Sequence, residues 1–339
     1  MALSDTNNKP AANRNLMFGM RSTGKLHLGH YEGVLKNMHA LQDKYNCFIE
    51  VADWHSITTN TDTANIRENI IEMVIDWLAS GIDPEKATIF VQSYVPEHAE
   101  LYVLLSMLTP VSWLERVPTY KEQIQQLNLS DNTSFGFLGY PVLQAVDIAL
   151  YKAAHVPIGR DQVPHLEFTR EILRRFNGTF GELLVEPQPV FTENQVMLGL
   201  DNRKMSKSYG NAVYLCETED ETTQKIVRMI TDPNRIKKTD PGNPDVCNVY
   251  SYHKIYSGAE TCERVKNECP QAKIGCVECK KILASKINDK YRELRSKRSY
   301  YSENRKMIEE ILIEGSKKAR ITAGQTLLEV KEKMRFKFF

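Results

Sequence analysis

Apolar residues form short blocks in the first half of the chain and follow helical spacing in the second. NLMFGM (15–20), CFIEVAD (47–53) and ATIFVQS (87–93) are compact apolar runs of strand length, and VPIG (156–159) is strand-like too. Between these runs the period changes. Val34, Leu35, Met38 and Leu41 fall at i, i+1, i+4 and i+7. Ile66, Ile70, Met73, Val74 and Trp77 share one face of a helix over about 65–80, with Gly81 as its stop. A further helical region runs from about Glu97 to Gln126, and DQVPHLEFTREILRRFN reads as a helix capped by Asp161. Strands alternating with helices predict an α/β fold, a doubly wound parallel sheet over residues 15–216 with ligands at the carboxyl ends of its strands. After about residue 217 the strand signal fades. Patterns such as EILIEGSKKARITAGQTLLEVKEKM (310–334) predict a smaller α-helical domain over 217–339. Residues 1–14 are polar, lack the apolar stretch of a signal peptide, and read as a disordered tail.

Composition narrows the class. With 42% apolar and 26% charged residues, the 339-residue chain is ordinary globular protein, long enough for two cores. No apolar run approaches the ~20 residues of a membrane span, which points to a cytoplasmic protein without membrane association. The net charge of +1 conceals an asymmetry. From Lys280 onward there are 17 Lys and Arg against 8 Asp and Glu, so the remainder is net acidic. A basic helical region of this kind suits either a polyanion partner or a solvated face.

Two stretches carry chemistry. TGKLHLGH (23–30) lies where the first strand turns into the first helix. Gly24 and Gly29 permit tight backbone turns there, and amides at a helix start favour an anion. His27 and His30, three apart, share a face and are suited to donating to a developing phosphorane. DNRKMSKSYGN (201–211) places Lys204 and Lys207 in a loop of small polar residues, a clamp for a leaving pyrophosphate to which Ser206 and Ser208 add donors. A solvated basic loop is the plain alternative, but it does not account for both stretches occurring in one α/β chain.

HLGH and KMSKS, in this order, resemble the paired signatures of class I aminoacyl-tRNA synthetases. Within that family ADWHSIT (52–58), YPVLQAVDIALY (140–151) and VPIGRDQVPHLEFTREI (156–172) resemble the bacterial tryptophanyl enzymes, from about residue 15 to the C-terminus. The resemblance implies a Rossmann-like catalytic domain and an anticodon-binding helical domain. It implies that His27 and His30 contact ATP at the α-phosphorus, and that Lys204, Ser206 and Lys207 hold the outer phosphates with Mg2+. Arg21, Thr23, Gly29, Gly159, Asp161, Met205 and Ser208 would complete the ATP site. Asp147 would accept the indole N–H, with Phe18, His55, Tyr140, Gln144 and Gln162 around the substrate. An indole N–H is a donor only, so a buried site for it needs an acceptor. Tyr140, Gln144 and Asp147 also match a Tyr-x3-Gln-x2-Asp pattern of tyrosyl enzymes, so tyrosine is the second reading of the substrate. A non-synthetase nucleotidyltransferase with an HxGH turn and a catalytically silent RNA-binding paralogue are more distant readings.

The implied reaction is tryptophan activation by ATP and transfer to tRNA(Trp), with tRNA along the basic C-terminal helices and a homodimer formed partly through LYVLLSMLTPVSWL (101–114). Cys247, Cys269, Cys276 and Cys279 are spaced C-x21-C-x6-C-x2-C, a four-thiolate set suited to zinc or an iron–sulfur cluster. A subset of bacterial tryptophanyl enzymes that this resembles carries a [4Fe–4S] cluster there, and Gln144 fits that subset. Cys262 is an extra cysteine nearby, while Cys47 and Cys216 read as ordinary core residues.

Overall fold

A computed structural model describes residues 13–117, 133–191 and 197–336. Five parallel strands form one sheet: β1 (Asn15–Arg21), β2 (Asn46–Ala52), β3 (Ala87–Val91), β4 (His155–Ile158) and β5 (Gln188–Phe191), in the order β3-β2-β1-β4-β5. β2 is buried from Cys47 to Ala52 without alternation, because helices cover both faces of a parallel sheet. The helices are α1 (Leu28–His30), α2 (Lys36–Leu41), α3 (Asp53–Ile57), α4 (Ile66–Ala79), α5 (Glu97–Ser106), α6 (Val111–Leu114), α7 (Phe135–Leu150), α8 (Val163–Phe180), α9 (Glu219–Arg228), α10 (Asn248–Tyr256), α11 (Ala259–Glu268), α12 (Cys276–Glu303) and α13 (Arg305–Lys333). No described helix is long and apolar enough to cross a membrane. The strand order reverses between β1 and β4, which opens a crevice at their carboxyl ends.

Local sequence explains most of these elements. Gly81 follows α4 at φ +98°, a left-handed closing conformation that only glycine adopts without strain, and a Cβ there would lie 2.7 Å from His39 Nδ1. Ser134 caps α7 by accepting from the Phe137 amide at 3.1 Å. Four expectations need correction. The helical region from Glu97 breaks into α5 and α6 around Pro110, and residues 118–132 lie outside the described residues, as does the tail 1–12. Asp161 does not cap α8. A 3-10 turn (Arg160–Gln162) precedes that helix, Gln162 stands at its cap, and the Asp161 carboxylate accepts from Gln162 Nε2 at 3.1 Å. The helix read through Val34 and Leu35 is interrupted by a π-helical turn (Tyr31–Leu35) between α1 and α2. Finally β5 was not anticipated: its sequence, QPVF, is short and carries Pro189, tolerable because β5 is an edge strand.

The helices after residue 217 are not set apart from the sheet. Leu16, Ile49 and Val51 of the sheet share one continuous apolar core with Tyr252, Ile287 and Leu312. α13 seals the other edge of the sheet. Its Ser316 Oγ accepts from the Val91 amide at 3.2 Å, satisfying an edge group that would otherwise face a neighbour. Gly315 makes this approach possible, since a Cβ there would stand 1.8 Å from the Ile89 carbonyl oxygen. Gly315→Ala is therefore expected to destabilise the protein by about 2 kcal/mol or more despite alanine's better helix propensity. Urea unfolding measures this, and an unchanged or raised midpoint contradicts the packing described.

Candidate active site at the reversal point of the sheet

The crevice holds a cavity of about 460 Å3 lined from both sides of the strand reversal. β1 contributes Phe18 and Arg21, the β4 end contributes Gly159, Asp161 and Gln162, and α3 contributes His55. From α7, Tyr140, Gln144 and Asp147 point into it because i, i+4 and i+7 fall on one helix face. The Tyr140 ring sits tilted against Phe137 and His165, with ring centroids 6.2 and 5.9 Å away. The Arg21 guanidinium meets Ser56 and Thr59 at the mouth.

The floor is a buried polar network around Asp147. Its Oδ1 accepts from Gln92 Nε2 and His98 Nδ1, both at 2.8 Å, and its Oδ2 lies 3.0 Å from His55 Nε2. Burial pushes this carboxyl up, but the bonds from His55 and His98 more than offset it and hold it at about 2. Asp147 is therefore an anion at neutral pH. Oδ1 thus takes two of these bonds and Oδ2, the oxygen on the His55 side, takes one. His98 Nε2 continues the chain to Tyr151 Oη at 2.8 Å. Glu50 lies fully buried beside them, its carboxyl pushed well above the usual range by burial and then by the charges of Asp147 and Asp53.

The two signature stretches meet next to the cavity without lining it. Gly24 turns at φ +80°, where a Cβ would lie 2.6 Å from Asn69 Oδ1. The segment after the lysine loop pairs with the histidine turn: the Leu28 amide donates to Val213 O and the Leu215 amide to Leu26 O, each at 2.9 Å. His27, at the cap of α1, and His30 face one another with ring centroids 3.7 Å apart. The His27 amide donates to His30 Nδ1 at 3.2 Å, which assigns the neutral ring's proton to Nε2. Burial and then Lys207 lower His27 to about 4; burial, His27 and Lys207 lower His30 to about 3. Both are neutral donors at pH 7. A Cβ on Gly29 would sit 3.1 Å from the His27 ring, so the small residue keeps the pair clear.

The lysine loop is held from below. Met205 is buried and its amide donates to Met197 O at 2.9 Å. Asn211 Oδ1 accepts from the Ser206 amide at 2.8 Å, while its Nδ2 donates to Asp201 at 2.7 Å. Ser206 and Ser208 share a 2.8 Å hydroxyl contact. Lys204 is exposed, but Lys207 turns inward and donates to Thr23 O at 2.7 Å, Thr23 Oγ1 at 3.1 Å and Gly24 O at 3.1 Å. Burial lowers its pKa to about 8. The sequence-based list missed Gln92, Glu50 and His98, although a histidine in PEHAEL and a glutamate inside an apolar strand were visible signals.

This combination of a strand reversal, a histidine turn and a lysine loop on one crevice matches a known family. Residues 9–292 match "tRNA synthetases class I (W and Y)", so the chain is an enzyme of that class. Tryptophan–tRNA ligases of Thermotoga maritima and Aquifex aeolicus are 47% and 40% identical to it, over 95% and 94% of this chain and 99% of theirs. The structure of tryptophanyl-tRNA synthetase from Campylobacter jejuni complexed with ADP and tryptophan superposes with a TM-score of 0.85 at 31% identity, covering 94% of this chain and 99% of that one. A tyrosyl-tRNA synthetase from Archaeoglobus fulgidus, 18% identical with a TM-score of 0.64, shares the fold. The chain belongs to the tryptophan–tRNA ligase branch of this class.

Proposed function

We propose that the chain activates L-tryptophan with ATP to tryptophanyl-adenylate and pyrophosphate, and then transfers the tryptophanyl group to tRNA(Trp). The near full-length identity of 40–47% to tryptophan–tRNA ligases carries the choice of indole over phenol. The tryptophan carboxylate attacks the α-phosphorus of ATP in line, and pyrophosphate leaves. A ribose hydroxyl of the terminal tRNA adenosine then attacks the carbonyl carbon, and AMP leaves. Neither step needs a covalent enzyme intermediate, so positioning and charge stabilisation do the catalysis.

In this reading the indole N–H donates to the Asp147 carboxylate, within a wall of Phe18, His55, Tyr140, Gln144 and Gln162. Arg21, Thr23, Gly29, Gly159 and Asp161 line the path of ATP, and His27 and His30 donate to its α-phosphate oxygens. Lys207 exchanges the Thr23 and Gly24 carbonyls for phosphate oxygens, with Lys204, Ser206 and Ser208 beside it and Met205 as the buried anchor. Mg2+ accompanies the phosphates. The basic region from residue 280 on takes the tRNA backbone, as part of an anticodon-binding domain assigned to residues 217–339. Exposed Val103 on α5, Met107 just after it and Val111 on α6 support a homodimer through that face.

The residues around the cysteines fit a metal centre. Cys247, Cys269, Cys276 and Cys279 line one cavity of about 20 Å3 together with Arg235. Arg235 is 9% exposed and donates to Lys238 O, Ile274 O and, at 3.5 Å, Cys269 Sγ, while its Nε has no partner among the described residues. No described carboxylate pairs with it, so neutral thiols would leave a buried cation without an anion. Burial pushes the Cys279 thiol up to about 12, so deprotonation at neutral pH needs a metal. These four residues would hold a [4Fe–4S] cluster, with zinc as the second reading. The centre would cross-link the segments before α10, after α11 and at the start of α12.

Two experiments test these readings. Pyrophosphate exchange into ATP is expected with tryptophan and not with tyrosine, and Asp147→Asn is expected to lower kcat/KM for tryptophan about 100-fold with the KM for ATP little changed. Exchange driven by tyrosine instead, or an unaltered D147N enzyme, contradicts the assignment. Anaerobically purified protein is expected to contain iron and sulfide with the visible absorbance of a cluster, both lost in Cys276→Ser. Colourless protein containing zinc overturns the cluster, and protein with neither metal overturns the site.

A further inference from the structure

The histidine turn is gripped on both sides by one C-terminal helix. Asp76 of α4 is completely buried. Its Oδ2 accepts from the Leu26 amide at 2.7 Å, one residue before His27, and its Oδ1 accepts from Arg298 Nε of α12 at 2.8 Å. Arg298 also binds Glu72, one turn earlier on α4. On the far side of the turn, Glu32 is 4% exposed and accepts from Tyr291 Oη at 2.8 Å and Lys290 Nζ at 2.5 Å, both on α12. Six side chains, Glu32, Glu72 and Asp76 from the sheet half and Lys290, Tyr291 and Arg298 from α12, thus make two charge-assisted locks that bracket residues 27–30.

We propose that Asp76 and Arg298 are positioning residues for nucleotide binding, fixing the Leu26 amide and hence the height of the His27–His30 turn against Lys207. This deepens the reading of that turn as the ATP site and rests on it. Hydrophobic packing alone leaves the turn free to slide along α12; a carboxylate that accepts from a backbone amide and a guanidinium at once sets one register. Lys207 lies in the same electrostatic neighbourhood, since the Asp76 charge favours its protonated form. The pair therefore holds the histidine turn from outside the site. Neither residue lines the cavity, so amino-acid binding does not depend on them.

The test compares Arg298→Met, Arg298→Lys and Asp76→Asn with the parent protein. Tryptophan-dependent pyrophosphate exchange in the parent checks the underlying reading separately, because its absence there would sink the ATP site itself. In Arg298→Met and Asp76→Asn the KM for ATP is expected to rise about tenfold, while the tryptophan dissociation constant, read by fluorescence, stays within twofold. Arg298→Lys retains the charge but cannot hold Asp76 and Glu72 together, so it should fall between parent and Met. The double variant D76N/R298M should be no worse than the poorer single one, as expected for residues acting as a unit. An unchanged KM for ATP overturns the inference. So does loss of tryptophan and ATP binding together in all three single variants, which would mean a purely structural lock.

Discussion

A lysine ammonium in a half-buried setting must be surrounded by oxygen, and that requirement organises this molecule. Lys207 meets it by reaching across 184 positions of sequence to the carbonyl and hydroxyl of Thr23, and to the Gly24 carbonyl. Those oxygens are available because Gly24 turns the chain at a positive φ. They are within reach because residues 213–215 pair with residues 26–28. Desolvation keeps the lysine only modestly basic, and the same field keeps His27 and His30 neutral. Two neutral donors and one labile cation therefore converge on one place, which is what an incoming polyphosphate requires.

The cavity floor uses the opposite arrangement. There Asp147 is held ionised by donors from α3, from the turn after β3 and from α5, while burial and the neighbouring carboxylates push the carboxyl of Glu50 well above the usual range. A carboxylate held ionised by three donors gives a defined acceptor, and its charge disfavours ionisation of the carboxyl beside it. The strand reversal opens the crevice between β1 and β4, and the histidine turn follows β1 beside the cavity.

The parts of this arrangement written in local sequence could be read from it. Continuous apolar runs mark β1 to β3, Gly81 marks the end of α4, and the two signature stretches stand out by composition. The family resemblance named the residues that line the cavity, and the structure brings Phe18, Tyr140 and Gln162 together there from three separate elements. What escaped depends on distant neighbours. β5 is stabilised by pairing with β4 rather than by its own residues, so QPVF carries no strand signal. Asp161 looked like a cap, but Pro164 suits the second position of a helix that begins at Val163. Asp76 and Arg298 lie 222 positions apart, and nothing local to either predicts the bond. Glu72 and Asp76 inside the buried run IEMVIDWLA were the available sign, since carboxylates on an apolar face need partners.

The central claim is that Lys207 is a weakly basic, movable bridge between the two signature stretches. Its direct test is competitive labelling with a small amine-reactive reagent at pH 8, read site by site by mass spectrometry. A pKa of about 8 predicts that Lys207 reacts faster than exposed lysines such as Lys36, and that ATP with Mg2+ suppresses this reactivity selectively. Labelling of Lys207 no faster than that of the exposed lysines, and unaffected by ATP, would contradict the account.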